Sequence, residues 1–140
     1  MSDNTILRVV CKFLIPYILL FALYVQFHGD YGPGGGFQAG VIFAAAFIIH
    51  TLIFGVGNTA KVVPPPFLRG VAAGGVLLYA GTGVASMLLG ADFLDYDALA
   101  ADPIAGQHLG ILLVEFGVGL TVASTMMLIF FAFAERGEPE

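Results

Sequence analysis

Tryptophan is missing from this chain, cysteine occurs once, and only 11% of its 140 residues carry charge. The lone thiol, Cys11, cannot form an internal disulfide, so cysteine usage says nothing about the redox compartment. The shortage of charge says more. An ordinary soluble domain is about 25% charged, and a short soluble chain has a large surface to cover. Disorder is excluded by the same numbers, because disordered chains are poor in apolar residues and rich in charge. Five bases against ten acids give a net charge of −5, which argues against nucleic acid as a partner and against a polybasic membrane anchor. What is abundant is apolar surface, with 59% hydrophobic residues and a mean hydropathy of +0.94. The chain reads as an all-α integral membrane protein.

A spanning helix needs about 20 mostly apolar residues. Four stretches qualify, roughly 8–27, 37–55, 68–89 and 108–134, and residues 1–140 read as a single four-helix transmembrane domain. The first stretch starts with Arg8 and Lys12, which can snorkel to headgroups. No small-x-small cleavage site follows Val25, because the chain continues Gln26-Phe27-His28-Gly29-Asp30, so a retained helix is favoured over a signal peptide. Pro16 is expected near the first turn of this helix, as a kink. All five bases lie before the first apolar core (Arg8, Lys12), between the second and third spans (Lys61, Arg69), or at the end (Arg136). With four spans these places share one side, and the positive-inside rule makes it cytoplasmic, together with both termini. Tyr24, Tyr31 and Tyr96 then fall near the outer boundary.

Signatures of catalysis are missing. His28, His50 and His108 form no His-x-x-x-His or Glu-x-x-His pair, so a metal site is not expected. The run Gly32-Pro33-Gly34-Gly35-Gly36 is not followed by Lys-Ser/Thr, so it is not a phosphate loop. Asp92, Asp95, Asp97 and Asp102 lack the glycine and glutamate of an EF-hand. They read as a solvated acidic loop, with a cation-gathering entrance as the sharper alternative. Pro64-Pro65-Pro66 reads as a stiff linker. Small residues at four-residue spacing, Gly36/Gly40/Ala44 and Gly70/Gly74 with Gly81/Ala85, are expected to bring helices close together. Gly106 and Gly110 repeat that spacing ahead of the fourth span.

Two ionisable groups sit inside spans. Glu115 is expected about two turns into the fourth helix, roughly 10 Å from its outer end at ~1.5 Å per residue. A buried acid is costly in lipid and needs a partner or a water cavity, so two readings stay open: a structural acid, or a proton or cation relay. His108, seven residues earlier on nearly the same face, is the candidate link from Glu115 to the outer surface. His50 is expected as a packing histidine, with an ion-path role as the alternative.

The segment His28-Gly29-Asp30-Tyr31-Gly32-Pro33-Gly34-Gly35-Gly36-Phe37-Gln38-Ala39-Gly40 resembles the signature of the MnhB/MrpB family, small membrane components of the Mrp (also called Mnh) multisubunit sodium/proton antiporters. One departure is Ala39-Gly40, where the family often has Gly-Gly. Physically the segment is a turn: Pro33 disfavours helix before it, Gly34, Gly35 and Gly36 permit a tight backbone, and Phe37 anchors the next helix. The resemblance implies a small subunit of a bacterial or archaeal cell-membrane complex that exchanges Na+ for H+. Its partners would be other Mrp-type subunits, including large ones resembling complex I antiporter-like subunits. It also implies that His28, Gly29, Pro33, Gly34, Gly35, Gly36, Phe37 and Gly40 form a subunit-contact turn, and that the main ion relay lies in other subunits. No cofactor is implied, since the proton gradient supplies the free energy. A structural subunit of a hydrogenase-like complex is the rival within the same group of modules, and a stand-alone enzyme is disfavoured for want of a nucleophile–base pair.

Overall fold

The computed structural model describes residues 4–29, 31–32 and 34–137. Its elements are all helical: α1 (Thr5–His28), α2 (Gly36–Phe54), α3 (Val56–Val62), α4 (Pro65–Leu88), a 3-10 turn (Tyr96–Leu99) and α5 (Pro103–Arg136). Four of them, α1, α2, α4 and α5, are long and apolar enough to cross a membrane. Successive spans reverse direction, so the start of α1 and the end of α5 lie at one end of the molecule and the turns after α1 and α4 at the other, here called the loop end.

Local signals explain where the helices begin. Asn4 caps α1 by accepting a 3.1 Å bond from the Leu7 amide, so the helix starts ahead of residue 8 and Pro16 lies in its interior, not near its first turn. Asp102 caps α5 by accepting from the Ile104 amide at 3.2 Å, with Pro103 as the first helical residue. Proline suits that position because the missing N–H would have no helical partner. The fourth helix therefore starts at residue 103 instead of 108, and Gly106 and Gly110 lie inside it. The polyproline stretch is also corrected. Pro64 is extended, but Pro65 and Pro66 form the first turn of α4, and the short α3, unforeseen in the sequence, fills the rest of the connection. Gly55, at φ +92°, makes the corner between α2 and α3.

Packing follows the order α1, α2, α5, α4. Helix α5 lies between α2 and α4, and α1 packs mainly on α2. Small residues set the close approaches. A Cβ added to Gly40 would lie 2.8 Å from the Gly119 carbonyl oxygen. At the other seam Gly75 and Gly117 face each other reciprocally, 2.7 and 2.8 Å from each other's carbonyl oxygens by the same measure. In lipid this contact is the main source of helix association. The expected Gly70/Gly74/Gly81 stripe does not take part, because those glycines are exposed on the face of α4 turned away from α5. Ala44, Val63, Leu68, Met127 and Phe131 form the core toward the terminal end. Buried hydroxyls find acceptors within their own helices: Thr51, Thr82, Ser86 and Ser124 each donate to the carbonyl four residues back, as a dry environment requires.

The acidic loop is a fitted cap. Phe93 fills the space over Gly83 of α4, and the Tyr96 ring fills the space over Gly110 of α5. Between them Leu94 adopts φ +61°. Asp95 accepts from the Asp97 amide at 3.3 Å, and Asp97 accepts from the Gln107 side-chain amide at 2.6 Å. Three of the four loop acids, Asp95, Asp97 and Asp102, thus serve as local acceptors. Burial, with Tyr79 nearby, pushes the Tyr96 phenol above its usual pKa.

Candidate functional site

The turn between α1 and α2 closes against the middle of α5, and the residue it meets there is Glu115. A Cβ on Gly29 would lie 2.8 Å from Glu115 Oε2 and 3.0 Å from Oε1. On Gly35 it would lie 3.2 Å from Oε1, and on Gly36 it would overlap the Glu115 backbone carbonyl. Gly29 and Gly35 therefore cradle one half-buried carboxylate, while Gly36 lets α2 close on the Glu115 backbone. Gly34 and Gly35 take φ +152° and +146°, a region costly for any residue with a Cβ. Gly34 packs on the Val25 carbonyl. Glu115 lies twelve residues into α5 instead of two turns, about 18 Å along it at ~1.5 Å per residue, because the helix starts earlier than the apolar run.

Beside the cradle, aromatic rings link three elements. The His28 ring stacks on Tyr24 at 5.0 Å and meets Tyr31 at 6.3 Å; Tyr31 in turn stacks on His108 of α5 at 6.4 Å. His108 is exposed and His28 half-buried. The glycine turn thus brings the Glu115 carboxylate close to the end of α1, and the His28, Tyr31 and His108 rings continue from that turn to α5. Phe37 departs from expectation: at 62% exposure it faces outward and anchors nothing within the chain. Asp30 and Pro33 lie outside the described residues.

His50 is not part of this site. It lies fourteen residues along α2 from Gly36, about 21 Å away along the helix. There its Nδ1 shares a 2.7 Å hydrogen bond with Thr59 Oγ1, and its ring packs 4.7 Å from Phe54. Arg8 and Lys12 lie over the same Phe54 ring, at 5.2 and 5.5 Å. Among the described residues no group of three His, Cys, Asp or Glu side chains is placed to hold a metal.

Sequence reasoning passed over Gln26. It is 5% exposed, its Oε1 lies against Gly119, and among the described residues its buried Nε2 has no hydrogen-bond partner. Its position at the end of an apolar run made it look like a boundary residue. It lines an apolar groove of about 370 Å³ that also touches Gly40, Phe43, Phe116 and Ala123.

A helical protein with four candidate spans and a half-buried carboxylate set against an interhelical glycine turn falls in the class of multi-pass membrane proteins. A family model described as "Domain related to MnhB subunit of Na+/H+ antiporter" matches residues 6–128. The chain is 33% identical to proteins named "Putative antiporter subunit mnhB2" from Staphylococcus haemolyticus (strain JCSC1435) and Staphylococcus aureus (strain Newman). Each match covers 95% of this chain and 96% of the relative. The chain belongs to the MnhB family, the multi-pass cell-membrane subunits of multisubunit Na+/H+ antiporters.

Proposed function

We propose that this subunit contributes assembly and coupling to the antiporter, with Glu115 as the coupling group, and that it catalyses no reaction of its own. The observation that carries this reading is the contact between the Glu115 carboxylate and Gly29 and Gly35. A proton or cation gained or lost at that carboxylate acts on the backbone of the turn, and the exposed Phe37 beside the turn offers a surface to neighbouring subunits. The His28, Tyr31 and His108 rings lead from the turn toward the start of α5, and histidines and water can carry protons. On the charge pattern this end faces outward and both termini are cytoplasmic. No cofactor enters, because the proton gradient drives exchange.

The test is Glu115→Gln in the whole complex. Glutamine keeps hydrogen bonds and loses titration, so the complex is expected to assemble while Na+-driven proton exchange in vesicles slows severely. Full exchange by an assembled Glu115→Gln complex, with Glu115→Leu blocking assembly, would leave Glu115 a structural acid only.

A further inference from the structure

At the terminal end a threonine hydroxyl stands between a histidine and a carbonyl. Thr59 Oγ1, on a fully buried side chain, is 2.7 Å from His50 Nδ1 and 3.3 Å from the Gly55 carbonyl oxygen. A carbonyl beside Nδ1 would hold a proton there, because it only accepts, whereas a hydroxyl both donates and accepts. When Nδ1 is bare, the hydroxyl donates to the ring. When the ring is protonated, Nδ1–H donates to Oγ1, and the hydroxyl proton turns to the Gly55 carbonyl. None of the three groups is orphaned in either state. The half-buried ring can therefore gain and lose a proton without breaking the corner between α2 and α3.

Protonation acts instead on α1. The His50 ring packs 4.7 Å from Phe54, and Arg8 and Lys12 of α1 lie over that same ring at 5.2 and 5.5 Å. Both cations are thus within about one Debye length of the imidazole, ~10 Å at 0.1 M salt. Between them on α1 is the buried Cys11 thiol. Among the described residues, the other charged side chains of this end, Lys61 of α3, Arg69 of α4, and Glu135 and Arg136 of α5, are exposed. A proton on His50 adds a third positive charge around one aromatic ring. Helix α1 packs mainly on α2 alone, so it is the element free to yield.

We propose that His50 is a proton switch at the terminal end: neutral, it lets the start of α1 seat against Phe54; protonated, it repels Arg8 and Lys12 and unseats that helix. Through this subunit the complex responds to pH on the side of its termini, by a route separate from Glu115.

The experiment uses the assembled complex in vesicles, with the other cysteines removed and spin labels on Val9→Cys and Gly57→Cys in a Cys11→Ser background. Both labelled positions are exposed. The distance between the labels is expected to lengthen as pH falls from about 8 to about 5.5, the range of an imidazole. His50→Gln, which still offers Thr59 a partner but cannot titrate, should hold the short distance throughout. Lys12→Gln, at an exposed position, should lessen the lengthening by removing one like charge, and salt at about 1 M should lessen it by screening. In unlabelled vesicles, acid on the terminal side alone should lower Na+-driven proton exchange severalfold over the same interval, and His50→Gln should remove that step. A wild-type distance indifferent to pH, a distance that still lengthens in His50→Gln, or an exchange profile that His50→Gln leaves as it was would each overturn the switch.

Discussion

Gly29 and Glu115 are 86 positions apart in the chain, yet a single methyl group on the first would lie 2.8 Å from the carboxylate of the second. The φ of Gly29 is −59°, so alanine there meets no backbone penalty and the effect is purely steric. Gly29→Ala should leave the complex assembled and reduce antiport by displacing the carboxylate. Its effect and that of Glu115→Gln should be strongly non-additive, because both act on one contact. Exchange rates for the two single variants and the double variant test this, and simple additivity would separate the two residues functionally.

Gly35 and Gly36 should be less forgiving. Gly35→Val places a β-branched residue at φ +146°, a strain of about 1–3 kcal/mol, and brings its Cβ against Glu115 Oε1. Gly36→Ala meets the Glu115 backbone itself, which cannot rotate away. Both variants are expected to lower the yield of assembled complex, measured by co-purification, and Gly36→Ala more than Gly29→Ala. Wild-type yields for both would remove the special role of the turn.

The orientation can be checked directly. In a Cys11→Ser background, D97C should react with an impermeant thiol reagent added outside intact cells, while K61C should react only after permeabilisation. Both side chains are exposed, so lack of reaction reflects sidedness. Labelling of position 61 from outside would invert the topology.

The loop cap has an alkaline limit. Burial raises the Tyr96 pKa in the folded state, so folding favours the neutral phenol. Stability from this group is complete below the unfolded value near 10 and is lost as pH rises through the higher folded value. Tyrosinate absorbance should therefore show a late-titrating component accompanied by loosening of the loop. Tyr96→Phe should remove that component and delay the loosening; a profile unchanged by Tyr96→Phe would exclude the residue.

Four spans and a tight turn at Gly34–Gly36 were legible in the sequence, because lipid demands long apolar runs and turns demand glycine. Helix starts were misplaced where a cap and a proline, Asp102-Pro103 or Pro64-Pro65, begin a helix before its apolar run. The site was legible only in pieces. Glu115 and the glycine turn were each singled out, but their contact depends on which helices adjoin, and hydropathy carries no such information. For the same reason Gly70, Gly74 and Gly81 looked like a packing seam and are not, while Gly75, one position along, is.

Because α5 lies between α2 and α4, the fourth span, made after the other three, is the one that joins them. Until it inserts, the nascent protein is an α1–α2 hairpin beside a separate α4. Neither the glycine cradle nor the groove exists at that stage, since each needs a wall from α5. Truncation after the acidic loop should therefore leave a membrane-inserted chain that quality-control proteases recognise, however hydrophobic its three remaining spans.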